Sequence, residues 1–98
     1  MKIVWSKQAK IDYYKILDYL LEKWGIGVLA SFIAKTDEML EAIKKQPKSF
    51  IESAKKKNVR KALITKHNSL FYKIKPFKKE IVLLAFWDNR QNPQKLKY

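Results

Sequence analysis

The chain has 98 residues, 47% of them apolar and 13% aromatic, with two glycines and three prolines. That length suits one domain spanning 1–98 and not two, and the composition can fill a core, which excludes a disordered or low-complexity segment. There is no cysteine and one histidine, His67, so disulfide frameworks, thiolate metal sites, cysteine nucleophiles and a conventional Ser-His-Asp triad are all disfavoured. No metal or other cofactor is expected. The net charge of +13 is unevenly placed. Residues 1–43 balance six lysines against six acids, whereas residues 44–79 hold thirteen Lys and Arg and only Glu52. A one-signed block points to a polyanion or an acidic protein as partner.

The opening MKIVWSKQAK has no apolar core or cleavage site of a signal peptide. The longest apolar run, Ile81 to Trp87, falls far short of the roughly 20 residues of a membrane span. A soluble, cytoplasmic protein without a membrane partner is expected.

Lys2 to Trp5 reads as a short strand with Ile3 and Trp5 on one face. Ser6 is placed to cap a helix from Lys7 to Trp24, whose stripe of Tyr13, Leu17, Leu20 and Trp24 is widened by Tyr14 and Leu21. Asp12, Asp18 and Glu22 fall on its outer face. Gly25 stops it. A second helix is predicted from about Gly27 to Lys45, with Leu29, Phe32, Ile33, Thr36, Leu40 and Ile43 inward and Pro47 beyond its end. A joint this short folds the two back as an antiparallel pair.

Lys48 to Asn58 then forms a lysine-rich connection. Val59 to Thr65, Leu70 to Lys75 and Ile81 to Trp87 read as three strands joined by hairpins, the last apolar throughout and so a central strand covered on both faces. The order β-αα-βββ is an α+β domain, a helical hairpin packed on a small antiparallel sheet. Trp5, Trp24 and Trp87 are expected in the core or in helix–sheet packing, with base stacking the lesser alternative.

This order, with WSKQAKIDYYKILDYLLEKWG, VRKALI, LFYKIK and IVLLAFWDNRQNPQKL, resembles the RelE/ParE superfamily of toxins from bacterial type II toxin–antitoxin modules. The resemblance implies a small basic growth inhibitor held inactive by a cognate acidic antitoxin. It implies one of two targets. ParE-like members poison DNA gyrase, and RelE-like members cut mRNA in the ribosomal A site, without a metal. Cleavage needs a group to take the 2′-OH proton, cations over the developing phosphorane charge, and a donor for the leaving oxygen.

Against the RelE-like pattern, Arg60 fits the basic position early in the second family strand and Arg90 the arginine after the last strand. Tyr98 stands where the pattern has a terminal tyrosine. Ala62 and Ser69 occupy two positions where the pattern has basic residues. By alternation Lys61 points to the other sheet face, so Lys66 and His67 in the adjacent turn are the side chains that could replace them. His67 also offers a base near pH 7. The catalytic candidates are therefore Arg60, Arg90, His67 and Tyr98. Lys55, Lys56, Lys57, Lys61, Lys66 and Lys73 are the candidates for binding nucleic acid or antitoxin. The two missing cations favour the ParE-like reading, with a protein target and no chemistry of its own. A RelE-like endonuclease is the alternative, and a non-toxic nucleic-acid-binding module a second one.

Overall fold

A computed structural model describes residues 1–54, 56–91, 95 and 96. Strand β1 (Lys2–Trp5) leads through helices α1 (Lys7–Trp24) and α2 (Ile26–Lys45) into β2 (Ile51–Glu52), β3 (Val59–Thr65), β4 (Asn68–Lys75) and β5 (Glu80–Asp88). These form one five-stranded sheet in the order β1-β5-β4-β3-β2. The α+β arrangement expected from the sequence is present, with two additions. The connection after Pro47 carries a two-residue edge strand, and β1 lies parallel to β5, so the sheet is mixed. The uniformly apolar β5 needs a neighbour on each side, and β1 supplies the one that β4 does not.

Local signals set the helix ends. The Ser6 hydroxyl accepts the Ala9 N–H at 3.0 Å, closing the first turn of α1. At its other end Gly25 takes φ of 90°, a left-handed conformation costly for any side chain. Its N–H then reaches the carbonyls of Leu20 and Leu21.

The helices cover one face of the sheet. Ala9, Phe32 and Ile43 pack on Ala62, Ile64, Leu70, Tyr72, Ile81, Leu83 and Phe86. An aromatic cluster binds β1 to this layer, with Trp5 and Phe86 stacked at 5.6 Å and Tyr13 within 5.1 Å of both rings. On the opposite face Val59, Phe71 and Ala85 are sealed by Leu96, beside Leu84 and Trp87.

Four-residue β1 stops at Trp5 opposite Leu83, leaving the rest of β5 with an open edge. The start of α1 supplies the missing partners. The Ser6 hydroxyl donates to the Leu84 carbonyl at 3.2 Å, and the Asp12 carboxylate accepts the Phe86 N–H at 3.1 Å. Asp12 is thus half-buried against the sheet and does not lie on the outer face of the helix. Helical periodicity shows a side chain's direction, but it cannot show that a neighbouring strand has run out of partners.

Candidate functional site

Two clefts lie at opposite ends of β3. The first, about 730 Å³, is bordered by Pro47, Lys48, Asn58, Arg60, Lys73 and Pro76 among others. Arg60 shares its sheet face with Ala62 and Ile64, towards the helices. Its side chain is 21% exposed. Nη1 donates to the carbonyls of Phe50 at 2.6 Å and Lys48 at 3.1 Å, and Nη2 stands 3.9 Å from the Glu52 carboxylate. Tyr72, opposite Arg60 in the β3–β4 register, donates its hydroxyl to the Pro47 carbonyl at 2.5 Å. Burial pushes the Tyr72 phenol up to about 12, against a smaller downward pull from Arg60. Together the two side chains tie the Pro47–Phe50 segment to the sheet. Glu52, the lone acid of the basic block, sits where it partners the arginine that the fold uses.

The second cleft, about 670 Å³, opens between the helical hairpin and the far end of the sheet. Tyr19, Leu20 and Trp24 of α1 and Val28, Phe32 and Lys35 of α2 form its walls. His67, Asn68, Asp88 and Arg90 close its end. Arg90 grips Asp88 in a fork, Nε to Oδ1 at 2.9 Å and Nη2 to Oδ2 at 2.7 Å, while its backbone N–H reaches Oδ1 at 2.9 Å. Those hydrogen bonds hold the Asp88 carboxyl below the usual carboxylate range and raise Arg90. The arginine side chain remains 60% exposed.

The turn carrying His67 is fixed from both sides. Its N–H donates to the Thr65 hydroxyl at 3.2 Å and its carbonyl accepts the Asn89 N–H at 2.8 Å. Asn89 is in turn held by the fully buried Ser69 hydroxyl at 2.7 Å. The imidazole is exposed and shares the end of the cleft with Asp88.

The structure therefore brings Arg90 and His67 together and sets Arg60 apart. The five residue steps of β3 from Arg60 to Thr65, at about 3.3 Å each, put roughly 17 Å of strand between Arg60 and the start of the His67 turn. Lys61 and exposed Lys73 lie on the sheet face away from the helices, Lys56 and Lys57 are exposed before β3, and Lys66 is exposed in the His67 turn. Lys55 and Tyr98 lie outside the described residues. Among the described residues no cluster of His, Asp and Glu could hold a metal ion, and no helix is long and apolar enough to cross a membrane.

The hairpin wall of the second cleft is the part that sequence reasoning missed. Trp24 continues the inward stripe of α1 but is 66% exposed, and Tyr14 and Leu21, read as widening that stripe, are exposed too. At the last turn of α1 the stripe faces the cleft and not a packed strand. The available signal was the run Trp24, Ile26 and Val28 around Gly25, too many apolar residues for a joint that nothing covers.

The family model described as "ParE toxin of type II toxin-antitoxin system, parDE" matches residues 3–93. No curated protein matches the chain. Among solved structures, a chain of the chromosomal ParDE system of Pseudomonas aeruginosa superposes with a TM-score of 0.75 at 18% identity, covering 90% of this chain and 95% of that one. A YoeB/ParE toxin from Agrobacterium tumefaciens superposes at 0.64 with 12% identity, covering 91% and 99%. A copper-bound mutant toxin from Helicobacter pylori gives 0.66 with 21% identity, covering 92% and 96%. At these identities the superpositions show a shared fold.

Proposed function

The chain belongs to the ParE toxin family of type II toxin–antitoxin systems, and from that membership we propose that it arrests growth by binding a protein target, DNA gyrase by family precedent, with no catalytic step of its own. A cognate antitoxin is the partner that this system context implies.

The fate of the cation set carries the reading. Metal-free RNA cleavage needs several positive groups converging on one phosphate, and losing one such group costs orders of magnitude in rate. Here Arg60 is spent on two backbone carbonyls, Arg90 is forked to Asp88, and the two line different clefts at opposite ends of β3. Ala62 and Ser69, where the RelE-like pattern has basic residues, are fully buried, so a cation there would lose its hydration without a partner. The cleft beside Arg90 suits recognition better. Its exposed Tyr19, Trp24 and Val28 give apolar area, and Lys15, Lys35 and Arg90 ring it with positive charge. That pairing fits an amphipathic acidic segment of a protein.

The deciding experiment adds purified protein to a reconstituted translation system and maps message 5′-ends, in parallel with a gyrase supercoiling assay. Intact message with inhibited gyrase is the expected result. Codon-phased cuts that vanish in Arg90→Ala would replace this reading with a RelE-like endonuclease. Expression without growth arrest in the absence of antitoxin would leave a nucleic-acid-binding module instead.

A further inference from the structure

The turn between β4 and β5 does not line the cleft beside Arg90. Phe77 is fully exposed, a large phenyl ring held in water. It sits in a 3-10 turn, Pro76–Lys78, in the sequence Lys75-Pro76-Phe77-Lys78-Lys79. The turn is rigid. Pro76 fixes the first backbone angle, Lys79 takes a left-handed φ of 53°, and its N–H closes on the Pro76 carbonyl at 3.2 Å. The Lys79 carbonyl then accepts the Lys2 N–H at 3.0 Å, which ties the turn to β1. Lys2, Lys78 and Lys79 are exposed and Lys75 is partly so; Glu80, which follows, faces Lys2 and Lys75 in the sheet register.

We propose that this turn is a duplex-DNA contact, in which Phe77 enters a base step as a wedge and Lys75, Lys78, Lys79 and Lys2 grip the phosphates on either side. An exposed aromatic at the tip of a backbone-closed turn, with lysines on either side of it in the chain, is suited to minor-groove wedging, because one ring is enough to unstack one step. Double-stranded DNA presents one phosphate per roughly 1.7 Å of axis, so closely spaced lysines each find a partner. A protein partner fits the same surface poorly. One phenyl ring among lysines offers a protein little of the apolar core its interfaces are built on, whereas the lysines match a polyanion. The proposal concerns a surface separate from the cleft beside Arg90, and it holds or fails whatever the toxin's target.

The test uses the full chain and a short duplex carrying 2-aminopurine, whose fluorescence rises on unstacking. Wild type should bind at low salt and raise that signal. Phe77→Ala should weaken binding roughly tenfold and lose the signal, with the salt slope unchanged. Lys75→Gln with Lys78→Gln should lower the salt slope by about two contacts. An exposed ring contributes nothing to packing, so Phe77→Ala should melt as wild type does, which separates lost binding from lost fold. The proposal is overturned if Phe77→Ala binds and unstacks like wild type, if the duplex is not bound at low salt, or if the turn binds vesicles of anionic lipid and not duplex.

Discussion

The chain has only two arginines, and they lead different lives. Arg60 is mostly buried, with one nitrogen shared between two backbone carbonyls and another beside Glu52. Arg90 is mostly exposed, forked to Asp88 two residues before it, on the rim of an open apolar cleft. Both are positions at which the RelE-like pattern leads one to expect a cation. Burial and partners separate them: one arginine is consumed by folding and the other is left at a surface where something can bind. A matching residue type at a matching position is therefore weak evidence of a shared role when its hydrogen bonds are already committed.

The sharpest way to break that contrast is to remove each arginine in turn. Arg60→Ala leaves the Lys48 and Phe50 carbonyls without their donor and should cost about 2–3 kcal/mol. For a domain of this size that lowers the melting temperature by roughly 10–20 °C. Arg90→Ala should leave the melting temperature unchanged while weakening target or antitoxin binding. Equal thermal losses in both variants would end the distinction.

Tyr72 sharpens the Arg60 side of the comparison through pH. Its phenol is raised to about 12 in the folded chain against the ordinary 10.0 of a tyrosine, so the folded form holds the proton more tightly. Stability from this group is therefore complete below about pH 10 and lost as pH climbs from 10 towards 12, by about 2–3 kcal/mol in all. Tyr72→Phe should flatten that alkaline limb in a denaturation series. Near neutrality it should cost about 1 kcal/mol for the bond to Pro47. An unchanged limb would mean that Tyr72 is hydrated.

Asp12 tests a similar use of a polar group at the other sheet edge. Asp12→Ala strips the Phe86 N–H of its acceptor and should cost about 1–2 kcal/mol, read by urea denaturation. A neutral result would mean that water replaces the carboxylate.

The smallest effect belongs to Asp88. Its carboxyl is held low by Arg90, so any stability it adds is present above the ordinary carboxylate range and fades as pH falls through the lowered value. Asp88→Asn should leave the melting temperature almost unmoved at neutral pH, and any effect should appear in binding at the Arg90 cleft. A large thermal loss would place the Asp88–Arg90 pair among the fold-holding contacts.

The elements were legible because each carries its own local signal. The strand Lys2–Trp5, the helix Lys7–Trp24 with its Ser6 cap and Gly25 stop, and the strand Val59–Thr65 all stand where pattern and capping put them. The candidate site was legible only in part. Arg90 and His67 do share a cleft, but Arg60 lies elsewhere, and the helical pattern places Trp24 in the core or against the sheet where the fold leaves it exposed with Tyr19 on the cleft wall. Amphipathic periodicity records that a side chain is apolar and which way it points. It does not record whether another element arrives to cover it.

The sequence by itself determined the order of the elements, their ends and the block of positive charge, because propensity, capping and hydrophobic period act over a few residues. Only the tertiary structure decided that β1 would lie parallel to β5, that Asp12 would serve the edge where β1 stops, and which arginine the fold would consume. Those outcomes depend on which backbone groups are left without partners once the strands have met, and these groups come from residues far apart along the chain.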